Sequence, residues 1–184
     1  MDTVRYFKER AKAQLKDLRA TGDAAVGLQR VQHLVAVDAG YGSWGDLIDA
    51  EEVDRQLAAV MDREPALCLN GFGSGSYANT MQQRREQFTK WRIELRDSWA
   101  HVDQVREWLL QNIAPRKTLN NDAHSYGLKH MAERALDGYV SNGELIAAAI
   151  IAGYPYRRGT ATSPNALFGM SSRSITALRR QPRG

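Results

Sequence analysis

The stretch DGYVSNGELIAAAIIAGYPYRR, Asp137 to Arg158, decides how the second half of the chain is read. A glycine turn leads into a segment with scarcely a polar atom, and paired arginines close it. Ser141 and Glu144 form a capping box, S-x-x-E, which starts a helix at Asn142, and Gly153 stops it. Between these signals the segment reads LIAAAIIA, residues 145–152. A helix that is apolar all round is a buried one. Leu145, Ile146, Ile150 and Ile151 are therefore predicted to form the core of the C-terminal part, with the alanines letting neighbours approach closely.

Working outward, Asp122 or Ser125 begins a preceding helix in which Leu128, Met131, Ala132, Ala135 and Leu136 make one apolar stripe and Gly138 marks the end. Its opposite face carries Lys129, His130, Glu133, Arg134 and Asp137. The two helices have the outline of a helix-turn-helix. Base reading, however, demands Arg, Lys, Asn or Gln projecting from the second helix, and LIAAAIIA offers none. Its job is packing. Contact with nucleic acid or another partner then falls to three other places: the face of Lys129, His130 and Arg134; the loop Tyr154, Pro155, Tyr156, Arg157 and Arg158; and a last helix from Ser172 to Arg180 carrying Arg173, Arg179 and Arg180. Tyrosines beside arginines combine stacking faces with phosphate-seeking forks. The simpler reading has Tyr154 and Tyr156 capping the core and the arginines solvated.

Charge supports an anionic partner. The formal net charge is +4, but residues 115–184 hold ten Lys/Arg against four Asp/Glu, whereas residues 1–114 hold fifteen against seventeen. After Glu144 there is no acidic side chain, while six arginines follow. Such a surface suits a polyanion, and a solvated basic tail is the bland alternative.

Composition sets the outer bounds. A chain of 184 residues with 43% apolar and 25% charged residues is an ordinary globular composition. No run approaches the roughly eighteen apolar residues of a membrane span, and MDTVRYFKERAK is charged from the start, so a cytoplasmic protein with no membrane association is expected. The lone Cys68, in ALCLN, excludes an internal disulfide and reads as a small buried side chain.

Four short helices are predicted before residue 62: about 3–20 from Val4, Phe7, Ala11, Leu15 and Leu18, ended by Thr21, Gly22 and Asp23; 28–39, with Gly40 as its stop; a short one capped by Ser43; and 51–61. Residues 62–79, containing GFGSGS, lack any sustained period and read as a linker. The glycines lack the GK[ST] ending of a phosphate loop. Next, Met81, Phe88, Leu95, Val102 and Leu109 recur at seven-residue intervals, with Trp91 and Val105 filling part of a second row. A helix from 79 to 112 would be roughly 50 Å long. It either breaks near Asp97 and Ser98 or forms a spine for other helices or a second subunit, which leaves open a homodimer through the 81–109 row. Pro115 prevents continuation.

No active site is apparent. His33, His101, His124 and His130 have no Cys or carboxylate partner at a metal spacing, and no nucleophile elbow, zinc-protease or dinucleotide motif is present. No catalytic residue, metal or cofactor is assigned, although His130 and Glu133, one helical turn apart, could pair as acid and base.

Two stretches carry a likeness to known proteins. Leu28, Gln32, Ala36, Gly40, Tyr41, Ser43, Trp44 and Leu47 follow L-x3-Q-x3-A-x3-G-[YF]-x-[SD]-W-x2-L. This resembles a small helical module of plasmid-borne bacterial proteins, some labelled as glyoxalase-superfamily. The resemblance implies a helical hairpin with Tyr41 and Trp44 as core pins; no metal-binding half of a glyoxalase follows. The second half is similar to uncharacterised plasmid and prophage proteins through Tyr126, Lys129, His130, Glu133, Tyr139, Asn142, Asn165 and Phe168, which implies mobile-element cargo. Several of these are polar and would gather if the two helices pack antiparallel, making them a candidate functional surface.

The expectation is an all-α protein with an N-terminal module at 1–61, a linker at 62–79 and a C-terminal helical domain at 80–184 with a basic tail. Its expected role is that of a non-enzymatic accessory protein of a mobile element, binding nucleic acid or a nucleoprotein complex through the C-terminal basic surface. The alternative is an inhibitor of a host defence system, anti-restriction or anti-CRISPR, acting on a host defence protein by direct contact.

Overall fold

The structure, a computed structural model, describes residues 2–22, 25–73, 80–160 and 162–180. Asp23 of the predicted break, Ala161, residues 74–79 of the predicted linker, and the tail from 181 with Arg183 lie outside them. The chain divides into two compact units, Met1–Arg63 and Glu64–Gly184.

The first unit holds four helices: α1 (Thr3–Ala20), α2 (Leu28–Asp38), α3 (Trp44–Asp49) and α4 (Glu52–Arg63). Asp2 caps α1 by accepting from the Arg5 N–H, and Ser43 caps α3 by accepting from the Asp46 N–H. Phe7, Ala11, Val31, Val35, Ala36, Leu47, Ala58 and Ala59 form its core, with Tyr41 and Trp44 partly buried against it. Leu28 and Leu34 of the predicted stripe stay exposed.

The second unit corrects the all-α expectation: it is mixed α/β. Its elements are the hairpin β1 (Leu67–Cys68) and β2 (Gly71–Phe72), then α5 (Met81–Asp97), α6 (Trp99–Asn112), β3 (Pro115–His124), α7 (Ser125–Leu136), α8 (Asn142–Ile151), β4 (Tyr156–Arg158), β5 (Ala166–Met170) and α9 (Ser172–Arg180). The last three strands form an antiparallel sheet in the order β3-β5-β4. None of them shows a period of two. β3 is mostly exposed and its register shifts twice, on either side of Asn120. The Asn120 side chain fills the gap by donating to the Met170 carbonyl and to Ser172 Oγ. β5, the middle strand, is buried at four of five positions, and β4 is only three residues long.

Elsewhere the helix signals translate directly. The long seven-residue row breaks at Ser98, whose ψ of 17° lies outside the helical range. Leu95, Val102 and Leu109 are fully buried inside this unit, and α6 lies against α8. Intramolecular packing thus uses the second half of the row, while Phe88 is half-buried and Met81, at the N-terminal end, is well exposed. The capping box is present in full, with Ser141 Oγ accepting from the Glu144 N–H and the Glu144 carboxylate accepting from the Ser141 N–H. In α8 Leu145, Ile146 and all three following alanines are inaccessible, while Ile150 and Ile151 are half-buried. Helix α7 ends through Asp137 at φ 51°, a left-handed residue one position earlier than the glycine that was expected to supply it.

The predicted linker also differs. Residues 67–72 belong to the second unit, because the hairpin sits on the first turn of α8. The Gly143 N–H donates to the Leu69 carbonyl at 2.8 Å, and a Cβ at Gly143 would meet the Cys68 carbonyl oxygen at 2.0 Å. Only glycine permits that approach. Cys68 is buried, and burial pushes its thiol pKa up.

Among the described residues no helix is long and apolar enough to cross a membrane.

Candidate functional site

Two neighbouring surfaces of the Glu64–Gly184 unit hold its functional candidates. The first is a cleft of about 640 Å³ lined by residues of the hairpin, α5, α7, the start of α8 and the turn before β5. Tyr126, Lys129, His130, Tyr139, Asn142 and Asn165 line it, all named by the sequence likeness; Glu133 stands behind them. Phe168, on the middle strand, is fully buried and contributes only to the core. The sequence reading missed Asn70 and Trp91, the other notable wall residues. Asn70 follows the apolar pair that forms β1, and a short strand pair beside glycines was the one signal that could have placed it.

Lys129 organises the cleft. It is 6% exposed, its Nζ donates to Glu133 Oε1 at 2.7 Å and to the Val140 carbonyl at 3.1 Å, and it sits 4.8 Å from the Tyr139 ring centroid and 5.9 Å from that of Tyr126. An ammonium so enclosed and paired is not available to a phosphate, so Lys129 leaves the predicted contact set. His130 Nδ1 lies 2.5 Å from Glu133 Oε2, and its ring meets Tyr126 edge-on at 4.7 Å. Burial pushes the Glu133 carboxyl up, but hydrogen bonds from Lys129, His130 and the Val140 N–H outweigh it, and the net pKa shift is downward. Tyr126 and Tyr139 remain 57% and 73% exposed.

Asn142, the first residue of α8, fixes the cleft wall. Its Nδ2 donates to the Asn70 and Pro164 carbonyls and to Asn165 Oδ1, which ties hairpin, helix and turn together. The approach requires Gly71, at φ 106°, whose Cβ would stand 2.2 Å from the Pro164 carbonyl oxygen.

The second surface is cationic. Arg157 of β4 and His124 of β3 both pair with Leu167 of β5, so the three share one sheet face. Arg157 and His124 are exposed there. Arg116 and Lys117 are exposed at the start of β3, against which α9 packs with Ile175 buried. Arg173 and Arg180, seven residues apart, share a helical face; they and Arg179 are exposed. Among the described residues Arg157, Arg173, Arg179 and Arg180 have no carboxylate partner, and Arg134 on α7 is likewise exposed and unpaired.

The chain matches no protein family, curated protein or solved structure.

Three predicted contact residues turn out to be structural. Arg158 pairs through Nε and Nη2 with Glu64 Oε2 and lies over the Phe72 ring at 4.4 Å. Tyr156 donates its hydroxyl to the same carboxylate at 2.5 Å. Glu64 thus clamps β4 from 94 positions away in sequence, beyond the reach of any local pattern. Tyr154 is buried, donating to the Leu109 and Ile113 carbonyls, and burial pushes its pKa up to about 12. It caps the core. Among the described residues no group of three or more His, Cys, Asp or Glu side chains is placed to hold a metal ion.

Proposed function

We propose that the Glu64–Gly184 unit binds nucleic acid, free or within a nucleoprotein complex, through its backbone phosphates, and that the chain is a non-enzymatic accessory protein of a mobile element. The observation that carries this reading is the set of exposed guanidinium groups of Arg157, Arg173, Arg179 and Arg180, left without carboxylate partners on a sheet and helix that also expose Arg116 and Lys117. Cations paired with an acid of the same chain, as Arg158 and Lys129 are, serve folding; a group of solvent-facing arginines without an ion pair among the described residues suits a polyanion.

In this reading the His130 and Glu133 pair is structural. One Glu133 oxygen accepts from Lys129 and from the Val140 N–H, and the other faces His130. A carboxylate so saturated is a structural anchor rather than a waiting base.

With three to six phosphates neutralised, log K for a mixed-sequence oligonucleotide should fall with log salt at a slope between about −2 and −5. Between about 50 and 200 mM salt this is roughly a 10- to 1,000-fold loss, measured by fluorescence anisotropy with the full chain. Absence of binding to both DNA and RNA at the lower salt, together with copurification of a host defence protein, would replace this reading by that of a protein inhibitor.

A further inference from the structure

The cationic face accounts for phosphates but leaves the cleft beside it without a role. Two tyrosines project half or more of their surface into solvent at its rim, although each already has one side covered: Lys129 lies over both rings and His130 meets the edge of Tyr126. Exposed aromatic rings held in place by such contacts are preorganised stacking platforms. Trp91 adds a third aromatic wall.

The polar wall is also incomplete. Asn142 spends its amide donors on Asn70, Pro164 and Asn165, which fixes the amide with Oδ1 outstanding, and that oxygen is buried without a partner. Asn142 itself is 7% exposed. In the same wall Asn70 Nδ2 is a buried donor without a partner, on a side chain that is only half-buried. Both atoms are shielded from solvent as well as unpaired, so they are hydrogen-bonding capacity held in the cleft wall, which a ligand meets only when the half-buried Asn70 side chain turns outward.

The position of the cleft relative to the cationic face is the third observation. His124, in the row with Arg157, is two residues from Tyr126. The turn residues Pro164 and Asn165 lead directly into β5, and the Asn165 carbonyl accepts from the N–H of Gly159, next to Arg158. Residues of the cationic row and residues of the cleft wall are thus near neighbours along the chain at two places.

We infer that this cleft receives one unstacked base of a single-stranded nucleic acid, stacked against Tyr126 and Tyr139 beside the wall that Asn70 helps to form. This rests on the nucleic-acid reading above, and the experiment separates the two. The full chain is titrated at about 50 mM salt with an oligothymidylate of about twelve nucleotides and with an abasic oligomer of equal length, which keeps every phosphate and removes every base. The oligothymidylate is expected to bind about 5- to 150-fold more tightly. Tyr139→Ala and Tyr126→Ala, at exposed positions whose thermal unfolding verifies folding, should erase most of that ratio by weakening the oligothymidylate alone. Asn70→Ala, which removes a side chain with no hydrogen bond among the described residues, should lower the ratio as well. Equal affinity for the two oligomers, or tyrosine variants that weaken both alike, overturns the base cleft and leaves phosphate binding intact. Binding of neither oligomer overturns both. A proline-rich peptide that occupies the cleft, competes with no oligomer and is lost in Tyr139→Ala overturns the inference in favour of a protein ligand.

Discussion

Replacing Gly143 with alanine is expected to cost about 3 kcal/mol or more of the stability of the Glu64–Gly184 unit, read as a lowered urea midpoint at unchanged m-value. Alanine is ordinarily the better helix former by roughly 1 kcal/mol, so propensity alone predicts the opposite sign. What decides the outcome is the neighbour. The added methyl would stand 2.0 Å from the Cys68 carbonyl oxygen and 2.8 Å from that of Leu69, and both are backbone atoms that cannot rotate away. The hairpin must lift, which strains the Gly143 to Leu69 hydrogen bond and the Asn142 to Asn70 bond that fixes the cleft wall. Gly127→Ala in α7 is the matched control, since a Cβ there meets nothing within 4 Å. It should be neutral to stabilising by up to about 1 kcal/mol. Similar values for the two variants would mean that the hairpin does not rest on α8.

Lys129→Met is expected to cost about 2–3 kcal/mol, toward the low end for breaking a buried ion pair because Glu133 keeps His130 and the Val140 N–H. The loss has two parts. A carboxylate with a fifth of its surface exposed is left without its ammonium, and the Val140 carbonyl loses its donor. Removing both charges with Lys129→Met and Glu133→Leu together should recover only the ionic part of the loss, because the Val140 carbonyl stays unpaired and the buried Val140 N–H loses its acceptor too. The pH dependence has a defined sign. Glu133 has a folded pKa below its ordinary value of 4.5, so its contribution is present above that value and is lost as pH falls through the lower, folded pKa. The gap between wild type and Lys129→Met should accordingly hold at neutral pH and narrow on acidification below 4.5. A gap that is constant through the acid range, or a single-variant cost under about 0.5 kcal/mol, would place Lys129 in solvent instead.

What the sequence disclosed and what it concealed follow from the range of the forces involved. Ser141 with Glu144, the apolar run 145–149 and the stop of α7 were legible because a cap and a buried helix are decided within a few residues. The break at Ser98 was visible as one of two outcomes, and only the burial of Leu95, Val102 and Leu109 within the unit selected between them. The sheet was illegible: β3 is polar and twice out of register, and its ladder is completed by Asn120, a residue that reads as a turn former. In the site, the residues that carry the sequence likeness, Tyr126, Lys129, His130, Tyr139, Asn142 and Asn165, do gather in one cleft, yet Lys129 is an internal partner of Glu133 rather than a contact for phosphate. Its spacing of four from Glu133 offers either a solvated pair or a buried one, and local sequence does not distinguish them. Arg157 and Arg158 are adjacent in the chain but face opposite duties, because alternation along β4 sends one toward solvent and the other to Glu64.

The central claim is that the unpaired arginines of β4 and α9 meet phosphates. The slope of log K against log salt for a single-stranded oligonucleotide, compared between the wild type and Arg173→Ala/Arg179→Ala/Arg180→Ala, tests it most directly. Each phosphate contact removed should reduce the slope by about 0.7, so the triple variant should lose about 2 from its magnitude while its urea midpoint stays within experimental error of the wild type. An unchanged slope, with affinity unchanged at every salt concentration, would contradict the assignment of these side chains.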